Sequence, residues 1–68
     1  MQTTYKVIVK NRVDDVDYII DTFTYSTNDI VRLQKFCDKD YGKWNYIEIF
    51  DNSNDIIMSH RWQGKWTI

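Results

Sequence analysis

The sequence predicts an α+β domain: a four-stranded antiparallel sheet with one helix packed on one face, in the order strand, strand, helix, strand, strand. Three observations carry this. Residues 26 to 42 place apolar side chains at helical spacing and carry capping signals at both ends. The flanking segments alternate apolar and polar residues with the period of a strand. Polar, turn-forming clusters at 11–15 and 51–54 divide those segments into pairs.

The first strand is expected at about residues 4–10, with Tyr5, Val7 and Val9 on one face and Lys6, Ile8 and Lys10 on the other. The second, at about 16–25, does not keep one parity. Tyr18 and Ile20 share a face, and Ile19, Phe23 and Tyr25 share the opposite one, so a β-bulge near Ile20 or Asp21 is required to reconcile them. The helix spans about 27–41. Ser26 reads as its N-cap, with Asp29 completing a capping box and Tyr25 and Ile30 forming a hydrophobic staple. Gly42 is expected to end it in the left-handed conformation, with Lys39 and Lys43 at the negative end of its dipole. Ile30, Leu33, Cys37 and Tyr41 form its apolar stripe, flanked by Phe36, while Arg32, Lys35 and Lys39 form a solvated basic face.

The third strand is expected at about 44–51 and the fourth at about 55–62. A four-residue loop over 51–54 would pair Phe50 with Asp55, Ile49 with Ile56, Ile47 with Met58 and Trp44 with Arg61. Ile47, Ile49, Ile56 and Met58 would then face the helix, and Arg61 would lie over Trp44 on the far face as a cation–π pair. Residues 63–68 end the fourth strand after a bend at Gly64 or form a short tail.

Sixty-eight residues make one domain, 1–68, which buries only about 60% of its unfolded surface. One Cys and one His give neither an internal disulfide nor a metal-ligand pair at productive spacing, so no metal and no cofactor is expected. The net charge of −1 is neither the footprint of a DNA binder nor the acidity of a DNA mimic. No apolar run is long enough for a membrane span and no signal-peptide core follows Met1, so a cytoplasmic protein is expected. Ala and Pro are missing, and Ile, Asn, Lys and Tyr are abundant, which points to an AT-rich genome such as that of a bacteriophage or a low-GC bacterium.

Catalysis is not expected. His60 is the single histidine, expected on the helix-facing side; Ser26, Ser53 and Ser59 have no base beside them; and Cys37 falls within the apolar stripe. The informative surface is the sheet face the helix leaves open. Aromatic side chains clustered there mark a contact site, and Trp44, Tyr46, Phe50, Arg61 and Trp66 are the residues expected to make it. The expected function is non-catalytic binding of a protein partner, as in a phage-type accessory or inhibitor protein acting on a host macromolecule. A homodimer through the same face is compatible. The alternative is single-stranded nucleic acid stacked on the aromatic face, with Arg61, Lys65 and His60 beside it. Asp14, Asp15, Asp17 and Asp21 gather on the first hairpin as solvated edge charges or as a face for a basic partner.

Overall fold

A computed structural model describes residues 2–51 and 56–67 of the chain. It contains β1 (Thr3–Val13), β2 (Val16–Thr27), α1 (Ile30–Asp40), β3 (Tyr46–Phe50), β4 (Ile57–Trp62) and β5 (Lys65–Thr67). The sheet has five strands in the order β2-β1-β3-β4-β5, and every neighbouring pair is antiparallel. The α+β class and the antiparallel sheet with one helix are as expected; the strand count and order are corrected by β5. Gln63 and Gly64, at φ 56° and 81°, make a two-residue turn that folds Lys65–Thr67 back onto β4. Positive φ at both central residues suits the right-handed twist of a hairpin.

β1 is the centre of the arrangement. It pairs with β2 along its whole length and with β3 from Lys6 to Lys10. β2 and β3 therefore run parallel on either side of β1, and α1 carries the chain across it. The β1–β2 register shifts between Val9 and Lys10: Val9 faces Asp21 and Lys10 faces Ile19, which leaves Ile20 as the extra residue. This is the bulge that the broken parity of the second strand demands.

The helix begins later than expected. Asp29 is the N-cap, extended at φ −142°, and its side chain accepts from the Val31 amide at 3.0 Å. Ser26 stays in β2, where its hydroxyl pairs with that of Thr4 at 2.8 Å. Thr27 closes the join: its hydroxyl accepts from the Asp29 amide and donates to the Asp29 carbonyl. The expected capping box and staple are thus displaced, because the strand ladder holds Ser26 and Thr27. Tyr25 and Ile30 still pack against the core. At the other end Tyr41 is extended, at φ −129°, and Gly42 does not adopt the left-handed conformation.

The core is Val7, Val9, Leu33, Cys37, Ile47 and Ile49, each fully buried between helix and sheet. Tyr5, Phe23, Tyr25, Ile30, Phe36, Tyr41 and Trp66 pack around it. Of the helix stripe read from the sequence, Leu33 and Cys37 are buried, joined by Gln34, while Ile30, Phe36 and Tyr41 are half-buried against the core, Tyr41 just past the helix. Arg32, Lys35 and Lys39 are exposed.

The β3–β4 register is the main correction. Ile47 pairs with Arg61, Glu48 with His60, Ile49 with Ser59 and Phe50 with Ile57, with Met58 as an extra residue. Against the expected pairing of Ile47 with Met58 this is a slip of three. An odd slip turns Ser59–Trp62 to the other face, while the extra Met58 reduces the slip to two at Phe50 and leaves Ile57 on the outer side. Ser59 and Arg61 are therefore buried at 1% exposure, while Ile56, ahead of β4, and Met58, in the bulge, are exposed. The expected pairing of Phe50 with Asp55 gives way to one with Ile57, and residues 52–54 of the expected 51–54 loop lie outside the described residues.

Candidate functional site

The cross-strand partners define the outer face of the sheet, opposite the helix. β1 contributes Lys6, Ile8, Lys10 and Arg12; β3 contributes Tyr46, Glu48 and Phe50; β4 contributes Ile57, His60 and Trp62; β5 contributes Lys65. No described element covers this face. Its side chains instead pack on one another. The Arg12 guanidinium lies 5.3 Å from the Trp62 ring centre, Trp62 lies 6.0 Å from Tyr46, and Tyr46 stacks on His60 at 5.8 Å. This ladder of one cation and three rings crosses β1, β4 and β3. At the other end of the face the Lys6 ammonium sits 6.0 Å from the Phe50 ring.

Two ion pairs pin the charges of the face. Lys10 meets Glu48 at 2.7 Å, where Glu48 is nearly buried. The hydrogen bond to Glu48 raises the Lys10 pKa, against an opposing push from burial. Arg12 donates from Nε to Asp17 at 2.8 Å across the β1–β2 ladder. The same bond holds the Asp17 carboxyl below its ordinary value.

Of the expected contact residues, Tyr46 and Phe50 lie on this face, both half-buried. Trp44 does not, because β3 starts only at Tyr46. Trp44 lies in the turn after the helix, 60% exposed, with the Lys43 ammonium 5.3 Å from its ring. Arg61 and Trp66 are on the helix side. Arg61 Nη1 donates to Asp38 at 2.7 Å, and Nη2 donates to the carbonyls of Gly42 at 2.7 Å and Tyr41 at 3.3 Å. Trp66 donates its indole N–H to Asp38 at 3.0 Å and lies 5.8 Å from the Arg61 guanidinium. The expected cation–π pair of Arg61 with Trp44 is thus replaced by one with Trp66.

Arg61 has a structural task here. The helix ends without a left-handed glycine; the Tyr41 amide closes it on the Cys37 carbonyl at 2.9 Å, and the chain leaves in an extended conformation. Arg61 reaches up from the sheet and supplies donors to two carbonyls just beyond that end. Gln34 makes a second link, donating to the Ser59 hydroxyl at 3.0 Å. These bonds join the helix to β4 and explain why polar residues occupy the inner side of that strand.

His60 and Trp62 take the places vacated on the outer face. Sequence reasoning assigned His60 to the helix side and gave Trp62 no role. Their parity with Tyr46 becomes visible only once the slipped register is known. Cys37 is buried, and burial pushes its thiol up to about 11, so it is held as the unreactive thiol. No group of metal-ligating side chains occurs among the described residues.

The end of the β1–β2 hairpin is a second distinct surface. Past Lys10, β1 has no neighbour except β2 among the described residues, so residues 11–20 form a two-stranded arm. Asp14 and Asp15 make its turn, at φ 52° and 63°. Val13, Val16, Tyr18, Ile19 and Ile20 on this arm are each between 49% and 62% exposed. No helix of the described residues is long and apolar enough to cross a membrane. No protein-family model matches the chain, and no curated protein or solved structure proves similar to it.

Proposed function

We propose that the protein is a small non-catalytic protein-binding module, an accessory or inhibitor of a host macromolecule in the manner of phage-encoded proteins, and that the outer sheet face makes the contact. The observation that carries this is the ring layer of Tyr46, Phe50, His60 and Trp62, with Ile8 and Ile57 beside it, on a face without a covering element among the described residues. Aromatic residues and arginine are the side chains that protein interfaces enrich. The internal stacking holds these rings in place before a partner arrives, which lowers the ordering cost of binding.

A second reading, single-stranded nucleic acid, draws on the same ladder together with Lys6 and Lys65. It ranks below the first because Lys10 and Arg12 are already neutralised by Glu48 and Asp17, and the chain as a whole is acidic. The test pairs the wild type with a Phe50→Ala, Trp62→Ala variant whose circular dichroism is unchanged. A discrete protein retained from bacterial lysate by the wild type and lost by the variant supports the reading. Equal retention by both sinks the face. Salt-sensitive retention of oligothymidylate, lost in the same variant, transfers it to nucleic acid.

A further inference from the structure

The arm of residues 11–20 is left over from everything described so far. It contributes no core residue, and only Arg12 and Asp17 on it take part in the outer-face packing. Its apolar side chains sit on both faces. Val13, Val16 and Tyr18 share the helix side of the ribbon, beyond the end of the helix, while Ile19 lies with Lys10 on the outer side and Ile20 stands in the bulge. A single flat surface covers only one side of such a ribbon. An added strand, by contrast, extends both faces at once and brings its own alternate side chains to each.

The edge of β2 is only partly blocked. Natural edge strands are blunted by Lys, by Pro or by bulges. β2 has twelve residues and contains neither Lys nor Pro. Beside the Ile20 bulge it is blocked at Asp21, whose carboxylate takes the Thr22 amide at 2.8 Å and accepts from the Tyr41 hydroxyl. That block and the Ile20 bulge divide the edge and leave Val16–Ile19 as a separate short segment beside the turn.

Charge selects the occupant. Residues 11–21 hold four carboxylates and one guanidinium, a net −3 in a chain whose total is −1, so the remainder carries +2. A second copy pairing arm to arm would bring its own Asp14, Asp15 and Asp17 beside these, and like charges across paired strands are destabilising. A strand bearing Lys or Arg meets the opposite charge. We propose that the Val16–Ile19 edge of the arm takes up an extended segment of a partner protein in which basic and β-branched residues alternate. This rests on the protein-binding reading and assigns it a second contact.

The test uses the full chain, isotope-labelled, titrated with a short peptide of alternating Lys and Val and with its Glu–Val counterpart. The Lys–Val peptide is expected to shift the amides of 16–19 and slow their exchange, more weakly as salt rises. The Glu–Val peptide is expected to do neither. Ile19→Asp should cut the Lys–Val affinity at least tenfold. Asp14→Lys with Asp15→Lys, both in the exposed turn, should reverse the preference between peptides. The proposal is overturned if neither peptide moves these amides, if both move them equally, or if the amides shift with the concentration of the protein itself. A silent arm, with a lysate partner still lost on Phe50→Ala and Trp62→Ala, would remove this contact and leave the outer-face reading standing.

Discussion

A guanidinium at 1% exposure is costly unless its donors are met, and Arg61 meets most of them: one carboxylate and two carbonyls, with only Nε left without a hydrogen bond. Asp38 is the weak member because its side chain is 48% exposed, so its attraction is partly screened. Asp38→Ala still strips Arg61 and the Trp66 indole of a shared acceptor. It should cost about 1–3 kcal/mol in urea unfolding. Asp40→Ala, at an exposed site on the same helix, should stay within about 0.5 kcal/mol. Equal midpoints for the two would mean the Arg61 cluster does not hold the helix. Tyr41 offers a second reading at this scale. Burial first, and then its hydrogen bond to Asp21, push its phenol from 10.0 up to about 12. The folded state thus favours the neutral phenol; that contribution is whole below pH 10 and is lost as pH rises through about 12. Absorbance titration should show one of the five tyrosines ionising late. The late step should vanish in Tyr41→Phe and move only part of the way back in Asp21→Asn, since burial is the larger cause.

Among the elements, the start of the helix separates two readings of one sequence. Ser26 and Asp29 are both good caps, and only Asp29 bonds a helix amide. Asp29→Ala should destabilise by about 1 kcal/mol, and Ser26→Ala, which loses only an exposed hydroxyl pair, by a few tenths. The reverse order would restore Ser26 as the cap. The turn of the first hairpin carries a different strain. Asp14 and Asp15 both hold positive φ, where Asn and Gly sit at lower cost. Asp14→Asn with Asp15→Gly should therefore raise stability by about 1 kcal/mol, read as a higher thermal midpoint.

Across the whole molecule, the sheet is unequally supported. Around Val7, Val9, Ile47 and Ile49 it has strands on both sides and the helix above; past Lys10 it narrows to two strands with neither. A ribbon of two strands is marginal in water by itself. Amide exchange should reflect this directly. Protection in β1 should fall sharply between Val9 and Val13, and in β2 between Phe23 and Val16, while the amides at Ile47 and Ile49 exchange only through global unfolding. Uniform protection along the hairpin would mean that the arm is covered in solution, and a dimer would then have to be sought by light scattering.

What the sequence by itself determined is what local periodicity encodes. The buried helix stripe of Leu33 and Cys37, the inward Ile47 and Ile49, and the bulge at Ile20 all follow from which neighbours along the chain share a face. Tyr46 and Phe50 were legible as outer-face residues for the same reason. Periodicity does not say which residue of one strand lies opposite which residue of the next. The expected register maximised apolar burial, with Ile56 and Met58 inward, and the tertiary structure chose otherwise. With Arg61 inward, donors reach the carbonyls at the helix end, and with Ser59 inward, Gln34 finds its partner. Those needs exist only once helix and sheet are in contact. The same slip of three moved His60 and Trp62 to the open face and took Arg61 from it. The candidate face was thus half readable from the chain, and its other half was decided where the end of a helix meets a strand.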